Sequence, residues 1–161
     1  MLNKLGLTLV LGSLLPVVSV AQDGVLDDRF GQAGFAQFAP DGTTARTIAF
    51  NAIRALPDGS MLAAGFIDRS PPIPLSEPNF RVVIAKLRAD GSPDPEFGRD
   101  RTYPGLLILD DLQLGARIQE AKSIGLMADG SVVIGGALDA WMFGGFTLKM
   151  STDGRMDANY G

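Results

Sequence analysis

The sequence predicts an all-β protein built from about two antiparallel, four-stranded, blade-like repeats, and three observations carry that reading. A turn pattern of Asp-Gly, two residues, Asp, two residues, an aromatic and Gly occurs three times: from Asp23-Gly24 to Phe30-Gly31, from Asp90-Gly91 to Phe97-Gly98, and from Asp153-Gly154 to Tyr160-Gly161. The aromatic positions 30, 97 and 160 set spacings of 67 and 63 residues, long enough for several short strands between one turn and the next. Twenty glycines and ten prolines punctuate short apolar runs at intervals, as turns do in an all-β chain.

Taken in order, Gly34 to Ala39 alternates weakly as a strand and stops at Pro40-Asp41-Gly42. Ala45 to Leu56 is a longer strand, because its Thr, Ile and Phe content outweighs its helix-like composition and it exits into Pro57-Asp58-Gly59-Ser60. There Pro presets φ and Gly supplies the positive φ of a tight turn. Ser60 to Ile67 is the partner strand of that hairpin, and Phe80 to Leu87 the next strand before the turn at Asp90-Gly91. In the latter, Val82 and Ile84 (with Phe80) take one face, and Arg81, Val83 and Ala85 the other.

The second unit repeats this grammar. Leu106 to Leu109 is a short strand, Arg117 to Met127 matches the long run, and Ala128-Asp129-Gly130-Ser131 matches the hairpin turn. Val132 to Gly136 matches Met61 to Gly65, each glycine falling seven residues after its turn Asp, and Phe143 to Met150 matches Phe80 to Leu87. Four strands in about 40–65 residues is the size of one β-propeller blade. The units differ in Arg69 to Pro78, whose four prolines cannot join a ladder. Such an insertion reads as a surface loop on one side of the repeats.

Ahead of the repeats, Met1 to Lys4 is a short positive start, Leu5 to Val18 is uncharged and mostly apolar, and Ser19-Val20-Ala21 offers small residues to a signal peptidase. Residues 1–21 are therefore expected to be a secretory signal peptide, the run being short for a bilayer span of ~20 apolar residues. Residues 22–161 form the repeat domain, with units at about 32–98 and 99–161. The expected location is secreted, periplasmic or cell-envelope, and the lack of cysteine favours a bacterial setting over a disulfide-forming eukaryotic one.

The same absence rules out disulfides, thiolate metal sites and a Cys nucleophile. There is no histidine either, which removes Ser-His-Asp and Cys-His catalysis and the common zinc sites. A net charge of −4 with mixed signs gives no basic patch for nucleic acid or for an anionic membrane.

With both units laid out, the pattern resembles the delta-60 repeat, a β-propeller-like repeat of secreted bacterial proteins. The residues that carry the resemblance are Asp90 to Gly98, Leu56-Pro57-Asp58-Gly59-Ser60 through Gly65, and Phe80 to Arg88, and it covers nearly all of Asp23 to Gly161. It implies four-stranded blades and export, and no shared catalytic residues. Such proteins string together many repeats, whereas two blades leave apolar faces and strand edges open. Self-association into a ring, a longer parent protein or a stand-alone sandwich would each resolve that.

Candidates for chemistry are few. Asp23/Asp27, Asp90/Asp94 and Asp153/Asp157 could offer oxygens to calcium, but a turn-building role also explains their glycines. Phe30, Phe97 and Tyr160 are expected to be core plugs between blades. Trp141, beside Leu138-Asp139-Ala140, could stack on a sugar or contact a partner, with burial at a blade edge as the plainer reading. Asp110-Asp111 could form an acid/base couple, yet neighbours on a strand point to opposite faces, so a solvated turn is expected. No catalytic, cofactor-binding or metal residue is nominated, and no cofactor. The expectation is a non-catalytic exported module for binding or assembly. Its partners would be further copies completing a propeller, a protein or a glycan, with no nucleic acid and no membrane insertion after signal cleavage. The alternatives are a carboxylate-dependent envelope hydrolase or lyase, or a fragment of a longer repeat protein.

Overall fold

The computed structural model describes residues 24–38, 47–70, 78–98, 103–110, 112, 116–139 and 144–161. The signal segment, the proline-rich stretch 71–77, Asp23, Asp111 and Trp141 lie outside the described residues. Within them the chain is all-β, with no helix, in two antiparallel sheets. The first has the order β1 (Thr47–Ala55), β2 (Met61–Asp68), β3 (Phe80–Leu87), β4 (Leu106–Leu109). The second has the order β5 (Ile118–Leu126), β6 (Val132–Asp139), β7 (Gly144–Met150).

Each strand but one forms where the apolar runs predict it. The exception is Gly34 to Phe38, which makes only isolated bridges, between Phe35 and Gly31 and between Phe35 and Gln32. β4 follows the second Phe-Gly in sequence, yet it hydrogen-bonds back onto β3, pairing Val82 with Leu109 and Ala85 with Leu106. The unit read along the chain is thus one strand out of step with the sheet.

The repeat is physical as well as textual. β1 bulges between Phe50 and Ala52 against β2, and β5 bulges between Ala121 and Ser123 against β6. The two bulges stand 71 residues apart, as do the turn residues Asp58 and Asp129. In each, the extra residue lets the long strand twist across its neighbour. Glycines on the partner strands make close approach possible. A Cβ on Gly65 would lie 1.9 Å from the Ala49 carbonyl oxygen, and one on Gly136 would lie 2.3 Å from the Phe146 ring and 2.4 Å from the Glu120 oxygen.

The sheets pack face to face. Leu62, Ala64, Val82, Ile84, Leu107 and Leu109 of the first meet Ala121, Val132, Ile134, Leu148 and Met150 of the second, with Phe97 in the same core. Asn51, at the first bulge, donates from Nδ2 to the Ala121 carbonyl across the gap, at 2.8 Å. The stacking is head to tail. By the repeat, the inner-face residues Leu62, Ala64, Val82 and Ile84 correspond to Val133, Gly135, Gly145 and Thr147, which lie on the outer face of the second sheet. Conversely, Ala63, Val83 and Ala85 on the outer face of the first sheet correspond to Ile134, Phe146 and Leu148 inside.

The recurring turns interlock. The Gly31 amide donates to the Asp90 carbonyl at 2.6 Å, and the Gly98 amide to the Asp153 carbonyl at 3.5 Å. Gly91 and Gly154 sit at φ 79° and 91°, and a Cβ on them would meet the rings of Phe30 at 2.9 Å and Phe97 at 3.2 Å. Phe30-Gly31 and Phe97-Gly98 therefore each seat on the next Asp-Gly turn along the chain.

Phe97 is 2% exposed and fulfils the expected plug role, but Tyr160 is 41% exposed, since no sheet among the described residues covers it. Its hydroxyl lies 3.4 Å from Thr147 Oγ1, so hydroxyls stand where Phe97 and Ile84 stand in the core.

Phe97→Ala is expected to cost about 3–5 kcal/mol in chemical denaturation, and Tyr160→Ala less than about 1 kcal/mol. Gly65→Ala and Gly136→Ala should each cost about 1–3 kcal/mol from overpacking. Gly125→Ala, whose Cβ would meet nothing closer than the Val133 oxygen at 3.7 Å, should change stability by less than about 0.5 kcal/mol.

Candidate functional site

Two surfaces gather the residues that could act: the acidic turn end of the second sheet, and the outer face of the first. At the turn end, Asp129, Ser131, Lys149, Ser151, Asp153 and Arg155 border an open hollow of about 490 Å³. Lys149 Nζ lies 3.1 Å from Asp129 Oδ2 and 3.8 Å from Asp157 Oδ2, and Arg155 Nε lies 3.2 Å from Asp153. The first sheet repeats part of this, with Lys86 Nζ at 3.2 Å from Asp94 Oδ2.

The acids are engaged in building their own turns. In the hairpins, Asp58 Oδ1 accepts from the Ser60 amide at 3.0 Å and hydroxyl at 2.6 Å, and Asp90 Oδ1 from the Ser92 amide at 2.9 Å and hydroxyl at 2.6 Å. Asp129 is held in the same way by Ser131. The third marker departs from this: Arg155 occupies the serine position, and Ser151, two residues before Asp153, donates its hydroxyl instead.

The second acid of each marker caps the next turn. Asp27, Asp94 and Asp157 accept from the amides of Arg29, Glu96 and Asn159 at 3.1, 3.1 and 3.0 Å. Their carbonyls accept from the amides of Phe30, Phe97 and Tyr160. The turn-building reading of Asp27, Asp90/Asp94 and Asp153/Asp157 is thus what the geometry displays. Among the described residues no group of three or more Asp, Glu, His or Cys is arranged to hold a metal ion. Asp110 pairs with Arg69 at 3.2 Å in an exposed contact.

Serine hydroxyls are the first cause of the low carboxyl pKa values at Asp58, Asp90 and Asp153. Asp129 is brought to about 2 by the Ser131 hydroxyl, then its amide, then Lys149.

The ends of the proline-rich insertion are clasped together. Asp68 Oδ1 accepts from the Ser70 amide and hydroxyl, Ser70 Oγ accepts from the Asn79 amide at 2.9 Å, and the Arg69 amide donates to the Asn79 carbonyl at 2.8 Å.

The second surface is apolar, and reading the sequence turn by turn passes over it. On the outer face of the first sheet, Phe30, Phe35, Phe38, Phe50, Ile53 and Ala63 border a groove of about 430 Å³. Phe38 and Phe50 meet edge to face at 5.7 Å. Beneath them Ala63, Ile67, Val83, Ala85 and Leu106 form a second buried cluster. Ile53 is 66% exposed and Phe35 60%. The repeat counterpart of Ile53 is Ile124, which packs against the inter-sheet core. The bulge puts the two on one face: with Asn51 as the extra residue, Phe50 pairs with Gly65 and Ile53 with Ala63, a placement that alternation along the run does not reveal.

Comparison with protein-family models, with curated proteins and with solved structures finds no match to this chain. Among the described residues, no helix is long and apolar enough to cross a membrane.

A carboxyl whose folded pKa is lowered makes the unfolded chain the stronger proton binder, so its contribution is complete above the unfolded value and lost as pH falls through the folded one. The melting temperature is therefore expected to fall as pH drops from about 4, the ordinary Asp range, toward about 2 for Asp129. Ser131→Ala should move the Asp129 titration upward, as read by carboxyl-carbon NMR.

Proposed function

We propose that this chain is an exported, non-catalytic β-propeller-type repeat module, of the delta-60 kind, that works by binding or assembly through the outer face of its first sheet. The observation that carries the reading is the contrast between Ile53, exposed, and Ile124, packed against the core at the same repeat position. An apolar sheet face is costly to leave in water, at roughly 1.5–3 kcal/mol for each large side chain. Exposed apolar patches with buried counterparts mark contact surfaces.

The head-to-tail stack supports the blade reading, since each sheet presents to the next the face that the previous sheet presented to it. The turn bonding of the recurring acids supports a non-catalytic role, because each spends oxygens on its own loop. The positive start, apolar run and small-residue end of residues 1–21 support the export reading.

An apolar fluorescent dye should bind the dilute wild-type chain at the groove. Ile53→Lys should abolish that signal without lowering the melting temperature, because the position is exposed. Unchanged fluorescence in the variant would overturn the assignment of this face.

A further inference from the structure

Residues 24–38 are a turn and the segment after it, in the positions that a preceding sheet's last turn and fourth strand would take, with no such sheet among the described residues. A Cβ on Gly34 would lie over Leu26 Cβ and the Asp27 carbonyl, as one on Gly105 would lie over Pro93 Cβ and the Asp94 amide. By the spacing of the markers, Leu26 and Asp27 are the counterparts of Pro93 and Asp94, so Gly34 corresponds to Gly105 and Phe35–Phe38 to β4. β4 pairs with β3, whereas Phe35–Phe38 has no strand partner among the described residues. Leu26 is 58% exposed, while Met156, its counterpart in the third marker, packs against the core. The second sheet has the complementary gap. It holds β5, β6, β7 and the turn that follows, whose Met156 bridges Met150 and whose Asp157 amide donates to the Lys149 carbonyl, but among the described residues no strand pairs with the rest of the outer edge of β7, the edge that on β3 carries β4.

The described residues thus hold a counterpart of β4 without a sheet to join, and a sheet without a fourth strand. We infer that a second copy of this chain joins the two. The outer face of the second sheet in one copy packs on the outer face of the first sheet in the next, whose Phe35–Phe38 adds to the free edge of β7. The inference rests on the reading of the first sheet's outer face as a binding surface, and names its occupant. The contact repeats the one already made inside the chain, between the same repeat positions.

Two positions distinguish the proposed contact from the internal one: Phe50 stands where Ala121 stands on the receiving face, and Gly145 and Thr147 stand where Val82 and Ile84 stand on the inserted face. The turns at 24–31 and 153–161 hold the same repeat position, so one gives way. It is the first, whose Val25 and Leu26 are exposed, since Met156 anchors the other; the seat of Phe30-Gly31 on Asp90-Gly91 then passes to Tyr160-Gly161 of the neighbouring copy. A heterologous contact of this kind does not end at two copies, so it yields a ring or an open series.

The test is the mass of the full chain in solution by light scattering, for wild type, for Ile53→Lys on one surface and for Thr147→Lys on the other. Both positions are exposed, and circular dichroism checks that each variant folds, with Ile53→Gln and Thr147→Glu as a second pair. Wild type is expected to exceed the dimer. Each variant alone should be monomeric, with association weakened about a hundredfold or more by a buried lone charge. The two variants mixed should form a one-to-one dimer, because each retains the surface that the other lacks.

Self-association of Thr147→Lys at wild-type strength overturns the inference in favour of like-with-like pairing of the first sheet, and a mixture that stays monomeric overturns it as well. A wild-type monomer that still binds the apolar dye overturns the second-copy contact and leaves the binding-surface reading standing. A wild type that neither associates nor binds dye ends both.

Discussion

The seating of an aromatic-Gly pair on the Asp-Gly turn of the following unit is the contact on which the arrangement depends. Phe30-Gly31 sits on Asp90-Gly91, and Phe97-Gly98 on Asp153-Gly154. The seat exists only because Gly91 and Gly154 have no Cβ and accept a positive φ. In the second instance it sets the stagger between the two sheets and delivers Phe97 to the core between them. In the first it lays residues 24–38 along the outer face of the first sheet.

That stagger has a consequence for the faces. Stacking is head to tail, so neither sheet satisfies its neighbour and itself at once, and each end of the stack shows a face whose counterpart is buried inside. The two ends have adapted differently. The outer face of the second sheet carries Gly135, Ala137, Gly145 and Thr147, small or polar, and Tyr160 and Thr147 bring hydroxyls to a place that Phe97 and Ile84 occupy in the core. The outer face of the first sheet keeps Phe35, Phe50 and Ile53 in contact with water. An apolar face next to a shallow, glycine-rich one is a pairing of surfaces, whereas two apolar faces or two polar ones would not be.

The repeated carboxylates serve this architecture electrostatically. Asp58, Asp90 and Asp129 are each tied to the serine two residues on, and Asp153 to the serine two residues back. Lys86 and Lys149 then place a cation beside the capping acids Asp94 and Asp157. The charged bonds keep the hairpin ends closed, which matters most where the next aromatic has to find its seat. The Lys149–Asp157 pair is partly solvated and adds little stability, whereas Lys86 and Asp94 are more sheltered; both specify turn geometry.

The features legible along the chain are local ones. Asp-Gly-Ser turns and Asp-x-x-aromatic caps follow from hydrogen bonds that close within a few residues, and the strands at Phe80–Leu87 and Leu106–Leu109 from short apolar runs bounded by turn residues. Their repetition was legible because each copy obeys the same short-range chemistry. It took the packing of the sheets to settle which face each turns to the other, that β4 returns to β3, that Phe35–Phe38 has no partner strand among the described residues, and that Phe97 is buried where Tyr160 is exposed. Those outcomes depend on whether another sheet lies above a given residue. A face is buried by its neighbour in space, and an apolar side chain such as Ile53 reads in sequence like Ile124 whether or not that neighbour is there.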